Sequence, residues 1–307
     1  MVKHETAGDP MTDLKWTHKT TAKIAEELRV LGIDISPNSV ARLLKQMGYS
    51  LRVNHKQLPR VSKVAPAERD AQFAHIAALR EDFAVRGLPA ISVDTKKKEL
   101  VGLFKNPGRA WNKAPVNVRD HDFASEADGK AIPYGIYDIR ANLGSLFIGT
   151  SRDTPEFAVN CIEAWWCDEG QYRYPDATEL AILADGGGSN GTHSRAWKFL
   201  LQRQLCRQHG LTVTVAHYPP GTSKWNPIEH RLFSEISKNW AGRPLDSYET
   251  VLNYIRTTTT ATGLKVRAQL MSRAYDSGMK ITDAQMQELP IIKNEAMPKW
   301  NYTLSPA

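Results

Sequence analysis

The stretch LPAISVDTKKK at residues 88–98 decides the fold that we expect for this chain. Its apolar residues Ala90, Ile91 and Val93 are typical of a short buried strand, and that strand ends at Asp94. A second apolar run, ELAILAD, ends in the same way at Asp185. Because ligand sites of open α/β sheets lie at the carboxyl ends of strands, the two aspartates predict a site at one edge of a sheet.

The segments around these two strands alternate between helical and strand patterns. Apolar residues three and four positions apart predict helices, and short β-rich runs bounded by turn residues predict strands. The predicted elements are a long helix over 66–87, the first strand, a hairpin over 132–148, a helix capped by Thr154, the second strand, a helix over 193–210, a strand over 211–216 and a helix starting near Asn226. This order predicts a mixed α/β sheet flanked by helices.

The composition excludes several classes of protein. Of the 307 residues, 41% are hydrophobic and 24% are charged, so a chain that is disordered throughout is excluded. No stretch approaches the ~18 uncharged apolar residues of a membrane span, and the first ten residues lack the apolar core of a signal peptide. The three cysteines contain no CxxC pair and support neither a disulfide framework nor a zinc site. We therefore expect a cytosolic protein.

Positive charge is concentrated beside Asp94. The chain carries a formal net charge of +7, and residues 96–119 hold seven Lys and Arg against one Glu. A second basic stretch, at 50–63, contains no acid and has the pattern of a linker around Pro59. Such clustering is typical of nucleic-acid contact. The candidate DNA contacts are Lys96, Lys97 and Lys98 after the strand, and Arg52, Lys56 and Arg60 in the linker.

Two short helical patterns precede the linker. Residues 20–32 end at Gly32, and residues 33–49 offer Ser36 as a helix cap and Pro37 at the first helical position. Two short helices joined by a tight link are typical of a helix-turn-helix, whose second helix enters the DNA major groove. A helical hairpin used only for packing or dimerisation gives the same pattern. On the first interpretation, the candidates that face DNA include Asn38, Arg42 and Lys45.

A third acid, Glu229, lies in the first turn of the helix that starts near Asn226. Each acid alone has an ordinary alternative role, such as capping a turn or placing a charge at a helix start. Brought together, three carboxylates raise one another's pKa unless a cation compensates. Carboxylate oxygens are hard ligands, so Asp94, Asp185 and Glu229 predict Mg²⁺ or Mn²⁺. Two such ions would suit an in-line phosphoryl displacement.

Five stretches around these acids resemble the DDE transposases of bacterial insertion sequences, in the Rhodopirellula-type branch related to mariner-like enzymes. The stretches are SVDTKKKELVGLFKN (92–106), HDF (121–123), PYGIYDI (133–139), LADGGGSNG (183–191) and YPPGTSKWNPIEHRLFSEI (218–236). The resemblance implies a ribonuclease H-like fold whose catalytic acids are Asp94, Asp185 and Glu229. Members of this family usually extend further upstream, so we expect Met1 to be an internal start or a truncation.

Residues near the three acids supply further candidates for DNA contact. The glycines at 186–188 would let a DNA backbone approach Asp185, although a glycine run after a strand is often only a turn. Trp225 would stack on a base, with core packing as its alternative. The polar and charged neighbours are equally compatible with solvated surface positions. The full set of these candidates is Ser189, Asn190, Lys224, Trp225, His230 and Arg231.

The leading hypothesis is a metal-dependent transposase that cuts at element ends and joins the freed 3′-hydroxyl to target DNA. The implied partners are double-stranded DNA, as terminal inverted repeats and target, and further copies of the chain in a homodimer or higher assembly. The implied location is cytoplasmic and nucleoid-associated, with no membrane. The alternatives are a related nuclease or integrase limited to hydrolysis, and a non-catalytic DNA-binding regulator, which would not need three repelling acids.

The same hypothesis divides the chain into four parts. They are a helix-turn-helix region at 1–49, a basic linker at 50–65, a ribonuclease H-like catalytic domain at 66–241 with a long N-terminal helix, and a C-terminal accessory helical segment at 242–307.

Overall fold

The computed structural model describes residues 6–8, 15–17, 19–51, 64–110, 112–295 and 297–306. The chain divides into two compact units, Met1–Leu58 and Pro59–Ala307. The smaller unit contains two antiparallel strands, β1 (Thr6–Gly8) and β2 (Lys15–Thr17), and two helices, α1 (Thr21–Val30) and α2 (Pro37–Gln46).

The two helices of the smaller unit form where the sequence predicts them. The Ser36 hydroxyl caps α2 by accepting a hydrogen bond from the Ser39 N–H at 3.2 Å, and Pro37 occupies the first helical position. Ile24 of α1 and Val40 of α2 are buried together in a small apolar cluster. Packing between the two apolar faces therefore holds the pair.

The larger unit contains the remaining helices and strands. In chain order they are α3 (Pro66–Val85), β3 (Ala90–Thr95), β4 (Glu99–Val101), β5 (Gly129–Asp138), β6 (Leu143–Gly149), α4 (Pro155–Trp165), α5 (Gln171–Arg173), β7 (Glu179–Ala184), α6 (Arg195–Leu201), β8 (Thr212–His217), α7 (Ser234–Asn239), α8 (Tyr248–Arg256), β9 (Lys265–Met271), α9 (Asp283–Gln287), β10 (Ile291–Lys293) and β11 (Asn301–Leu304). Three π-helical stretches, Trp166–Gly170, Gln202–Arg207 and Glu229–Phe233, join or extend helices.

The strands of the larger unit form one mixed sheet, with nine strands in the described residues. Its order is β10-β11-β8-β7-β3-β5-β6-β9, and β4 pairs with β5. The central five strands are arranged β6-β5-β3-β7-β8, with β5 antiparallel to its neighbours and β7 parallel to β3 and β8. This order, with its one reversed strand, is that of a ribonuclease H-like sheet, so the expected fold class is confirmed.

Helices cover both faces of this sheet because its strands are apolar on both sides. On one face, α4 and α6 pack Phe157, Trp165 and Trp197 against inward residues such as Ile91 of β3. On the other face, the segment that begins at Asn226 packs with α8 in a second apolar cluster. The first acid lies on β3, between these two layers.

The C-terminal part of the chain differs from the prediction of an accessory helical segment at 242–307. Helices α8 and α9 are present, but β9 pairs parallel with β6, and β11 pairs antiparallel with β8. These residues therefore extend both edges of the sheet. Strand β9 is a half-exposed edge strand, and β10 and β11 have three and four residues, so none gives a clear apolar run in the sequence.

Within the described residues, no helix combines the length and the apolar character that crossing a bilayer requires.

Candidate active site

Asp94 and Asp185 lie next to each other at the carboxyl ends of two neighbouring strands. Strands β3 and β7 are parallel, with Val93 opposite Ala184, and each aspartate directly follows one of these two paired residues. Strand β3 pairs with β5 on one side and with β7 on the other. The connections on the two sides run in opposite directions, so the two acids lie at the switch point of the sheet. They line a cleft of about 440 Å³.

Both carboxylates are folded against their own backbone. Oδ1 of Asp94 accepts a hydrogen bond from the Thr95 N–H at 2.7 Å, and Oδ1 of Asp185 accepts one from the Gly187 N–H at 3.2 Å. Asp94 is only 9% exposed. Burial raises the pKa of Asp94 to about 8, with further increases from the charges of Asp185, Glu229 and Asp153.

The pKa of Asp185 is also raised, first by burial and then by the charge of Asp153. Glu229 shows the same direction: burial raises its pKa and Asp185 adds to the increase, while Lys96 and His230 oppose it. Each of the three acids is therefore electrostatically coupled to at least one other, which the sequence hypothesis required.

Glu229 is not among the residues that line this cleft, but it lies close enough to Asp94 for its charge to raise the pKa of that group, on a segment that packs closely against the sheet. A Cβ at Gly135, the β5 residue opposite Asp94, would lie 2.5 Å from Phe233 and 2.9 Å from Ile228. A Cβ at Gly144 of β6 would lie 2.5 Å from Leu232. Only glycine at these two positions lets the Glu229 segment approach the strands so closely.

A fourth carboxylate, Asp153, lies at the same cleft and was not among the predicted site residues. It accepts a hydrogen bond from the Thr95 hydroxyl at 3.2 Å, and its Oδ2 lies 3.7 Å from Nζ of Lys98. Its position just before the cap of α4 gives it the sequence context of an ordinary helix-start residue. The crossing from β6 to α4, which only the tertiary structure provides, brings it beside Asp94.

The donor set of this cleft fits a hard divalent cation. Its side chains offer oxygen ligands, and the pKa values of Asp94 and Asp185 are raised first by burial and then by neighbouring carboxylates. A bound cation would favour the ionised forms of both groups. In the part of the chain that the structure describes, no three His, Cys, Asp or Glu side chains converge into a complete ligand set. The residues that would hold a metal are Asp94 and Asp185, with Glu229 approaching from the helical side.

The three predicted lysines beside Asp94 differ in their surroundings. Lys97 and Lys98 are exposed and line the cleft with the two aspartates. Lys96 is only 9% exposed; its Nζ lies 3.0 Å from Glu99 and 4.4 Å from the centre of the Trp240 ring. Lys96 also lines the cleft, but an ion pair and a cation–π contact engage its ammonium group, so it is less accessible to a phosphate than Lys97 and Lys98.

The glycine-rich loop after β7 places its two polar candidates inward. Ser189 and Asn190 are buried, and Asn190 accepts a hydrogen bond from the Tyr134 hydroxyl at 2.9 Å. This hydrogen bond ties the loop to β5, while Gly187 and Gly188 form the exposed tip of the loop. A Cβ at Gly187 would meet no atom within 4 Å.

The candidates around Glu229 lie on the surface. Lys224, His230 and Arg231 are exposed, and Nδ1 of His230 lies 3.2 Å from the Lys224 carbonyl oxygen. Trp225 is 57% exposed, with one edge against Phe73 and Nζ of Lys224 5.3 Å from its ring centre. The core-packing alternative for Trp225 therefore does not hold, and the ring is available for stacking.

His217 is hydrogen-bonded to the backbone of Asp185, just after the end of β7. It is fully buried, and its Nδ1–H donates to the Asp185 carbonyl oxygen at 3.0 Å. Burial lowers the pKa of His217 to about 4, so the ring is neutral at pH 7. The His217 carbonyl accepts from Gln72 of α3, which also pairs with Asn301 of β11. The long helix and the C-terminal strand thus both brace this end of β8.

In the smaller unit, the candidates on α2 are accessible. Asn38, Arg42 and Lys45 are exposed. The linker candidates Arg52, Lys56 and Arg60 lie outside the described residues.

Comparison with known proteins gives one match across the whole chain. A family model described as Rhodopirellula transposase DDE domain matches residues 1–306. No curated protein matches the sequence.

Solved structures with a similar chain include three complexes of one enzyme. A Mos1 transposase paired-end complex with left transposon end is 16% identical with a TM-score of 0.46, and the match covers 77% of this chain and 65% of that chain. A Mos1 strand transfer complex is 17% identical with a TM-score of 0.44, covering 77% and 64%. A Mos1 mariner paired-end complex with Mn is 16% identical with a TM-score of 0.43, covering 77% and 65%. The chain thus spans slightly less than two thirds of these proteins.

Proposed function

The chain belongs to the Rhodopirellula transposase DDE domain family, and from this premise we propose that it is a transposase that cleaves DNA at element ends and transfers the strand to target DNA. The observation that carries the proposal is the pairing of β3 with β7, which places Asp94 and Asp185 at adjacent strand ends with coupled charges. A protein that only binds DNA would gain nothing from holding repelling carboxylates in a buried cleft.

In this proposal Asp94, Asp185 and Glu229 hold Mg²⁺ or Mn²⁺. When bound, two such ions would activate the attacking oxygen and stabilise the leaving oxygen of an in-line phosphoryl displacement. Burial raises the pKa of each of the three acids, and neighbouring carboxylates add to the increase. Cation binding would offset this cost of holding ionised carboxylates. Asp153 adds to this charge without being one of the predicted ligands.

The DNA partner is proposed to lie along the charged rim of the cleft. Lys97 and Lys98 are exposed beside the acids and suit phosphate oxygens, and the exposed face of Trp225 suits stacking on a base at the cut end. Residues 1–49 are proposed as the region that recognises the element end, through Asn38, Arg42 and Lys45 of α2. Because one chain carries one set of acids and transposition joins two ends, we also propose a homodimer or higher assembly on DNA.

The test of the catalytic proposal is nicking of a terminal-repeat duplex by the full chain. Mg²⁺ or Mn²⁺ should support nicking, excess chelator should abolish it, and Zn²⁺ should substitute poorly because the cleft offers no His or Cys ligands. Joining of the nicked 3′ end to a second duplex separates strand transfer from hydrolysis alone. Full activity in excess chelator would reject the carboxylate-metal mechanism.

The test of the recognition proposal compares cognate and random DNA. If Arg42 contacts a base edge, Arg42→Ala should weaken binding to the cognate end by ~1 to 3 kcal/mol and affect random DNA less. Neutralising Lys56 and Arg60 should weaken both equally and flatten the salt dependence. Equal loss on both duplexes for Arg42→Ala would instead mark α2 as a phosphate contact or a packing element.

A further inference from the structure

We propose that Ser92 is a positioning residue that fixes Glu229 relative to Asp94. This inference rests on the proposed function, because it explains how the third acid is placed for catalysis. Ser92 lies on β3 two residues before Asp94, so the two side chains occupy the same face of the strand. That face is the one against which the Glu229 segment packs.

The Ser92 hydroxyl makes two directional contacts with that segment. It donates a hydrogen bond to Oδ1 of Asn226 and accepts one from the Ile228 N–H at 3.1 Å. Both partners lie within the three residues that precede Glu229, and Pro227 stiffens the chain between them. One serine on the strand of the first acid therefore holds the backbone that leads directly into the third.

Apolar packing alone does not provide this positional control. Ile228 and Phe233 press against Gly135, which sets the distance between the segment and the sheet, but dispersion contacts are not directional. Hydrogen bonds weaken steeply away from their preferred geometry, so the two Ser92 contacts restrict sliding of the segment along the strand. The glycines set the separation and Ser92 sets the alignment.

The local energetics also indicate a role beyond stability. Ser92 and Asn226 are both 0% exposed, and Nδ2 of Asn226 has no hydrogen-bond partner in the described part of the chain. A buried donor without an acceptor destabilises the folded state, whereas apolar residues of similar shape at both 92 and 226 would avoid that cost. Stability alone would therefore favour an apolar pair at these positions, while orientation of Glu229 accounts for the polar pair.

The chain provides a matched control for this contact in Ser145. Ser145 is also a buried strand serine, on β6, and its hydroxyl donates to Oε1 of Glu169 at 2.5 Å. Glu169 forms an ion pair with Arg173 and is not one of the three proposed catalytic acids. Ser145→Ala likewise removes a buried serine hydroxyl, in this case one bonded to a carboxylate, without removing a contact of the Glu229 segment.

The experiment compares Ser92→Ala, Ser145→Ala and Ser92→Thr in the full-length chain with three measurements. Nicking kinetics on a terminal-repeat duplex separate kcat from KM. Amide hydrogen exchange of residues 226–233, without metal or DNA, reports whether the segment is held. The rise in melting temperature caused by Mn²⁺ reports assembly of the ligand set and requires no catalysis.

We expect Ser92→Ala to lower kcat by about 10²-fold with little change in KM, because a misplacement of about 1 Å is enough for such a loss. Exchange at 226–233 should accelerate and the Mn²⁺-induced rise should shrink. Ser145→Ala should leave all three close to the parental values. Ser92→Thr keeps the hydroxyl but adds a methyl group at a fully buried position, so it should restore them only in part.

Unchanged exchange at 226–233 in Ser92→Ala would overturn the inference, as would an equal loss of kcat in Ser92→Ala and Ser145→Ala. If the parent itself does not nick DNA in any divalent metal, the proposed function fails. In that case exchange and the Mn²⁺-induced rise still decide the role of Ser92. Parental values for both in Ser92→Ala would reject it, and a selective loss of both would support it.

Discussion

Asp94 and Asp185 are placed by backbone pairing, whereas Glu229 is placed by side chains. The two aspartates follow directly from the register of β3 against β7, in which Val93 faces Ala184. Glu229 lies in an irregular π-helical turn whose position depends on Ser92 and on the absence of a side chain at Gly135. The proposed set of three acids is thus built from one rigid part and one adjustable part.

Mutations near the two aspartates and mutations near Glu229 should therefore differ in their effect on the site. A ladder of backbone hydrogen bonds is insensitive to most side-chain substitutions, so the positions of Asp94 and Asp185 are robust. A helix that is seated through close packing responds to the addition of one methyl group. We therefore expect the Glu229 side of the cleft to be the sensitive side, except where an acid itself is changed.

The largest expected effect removes the acids one at a time. Asp94→Asn, Asp185→Asn and Glu229→Gln should each lower nicking by roughly three or more orders of magnitude, because the ligands act as a unit. Melting temperature without metal should stay level or rise, since repulsion among the acids is relieved. Parallel measurements of melting, duplex binding and nicking check this expectation.

DNA binding provides the control for the acid variants. It should persist or tighten in all three, because one negative charge near the phosphates is removed. A variant that nicks at close to the parental rate would show that its acid is not a metal ligand. If that variant were Glu229→Gln alone, the cleft would function with the strand-held pair and the comparison between its two parts would lose its basis.

The next effect tests the close approach of the Glu229 segment. Gly135→Ala would place a Cβ 2.5 Å from Phe233, and such overpacking costs ~1 to 3 kcal/mol. For a unit of this size the melting temperature should fall by about 2 to 4 °C per kcal/mol, and nicking should fall with it as Glu229 moves away. Thermal unfolding and nicking of the variant measure both.

Gly187→Ala is the matched control on the strand-held side. The new Cβ would meet no atom within 4 Å, and the Gly187 N–H that bonds Asp185 is retained. Its melting temperature should equal that of the parent. A similar loss of stability in both variants would mean that the two sides of the cleft do not differ in tolerance.

A further expectation is a dependence of stability on pH. The pKa of Asp94 is about 8 in the folded protein against 3.8 for an ordinary aspartate, so between these values the folded state binds the additional proton. Stability without metal should therefore fall as pH rises from about 4 to about 8 and level off above that. Asp94→Asn lacks this titrating group, so its stability relative to the parent should increase as pH rises from about 4 to about 8.

Melting curves of parent and Asp94→Asn at several pH values check this expectation. The neutral His217, whose pKa is lowered to about 4, acts in the opposite direction below its ordinary value of 6.5, but it is present in both proteins and cancels in the difference. Saturating Mg²⁺ should flatten the difference by replacing the proton. A difference that is constant from pH 4 to pH 8 would contradict the raised pKa of Asp94.

Much of the central sheet could be predicted from the sequence, and the edges could not. The strands ending at Asp94 and Asp185, the hairpin between them and the helix capped by Thr154 all form where apolar runs and turn residues predict them. Strands β9 and β11 were missed because half-exposed or very short strands carry little periodic signal. Their pairing depends on edges that exist only after the core has assembled.

The candidate site shows the same division. Motifs and positions at element ends predict Asp94, Asp185 and Glu229, and in the structure the charges of Asp185 and Glu229 both act on Asp94. The fourth carboxylate, Asp153, gave no signal because its sequence neighbours suit an ordinary helix start. Lys96 was grouped with two exposed lysines, and only the packing of Trp240 and Glu99 around it distinguishes it.

Local periodicity and short-range capping in the sequence were enough to predict the central strands, the helices between them and the acids that follow them. The tertiary structure alone decided that Asp153 joins the cleft, that Lys96 is buried and that Ser92 holds the Glu229 segment. Each of these depends on contacts between residues distant in the chain, and no local pattern encodes them. Ser92 and Asn226 are separated by 134 positions, yet one hydrogen bond between them aligns the third acid with the first.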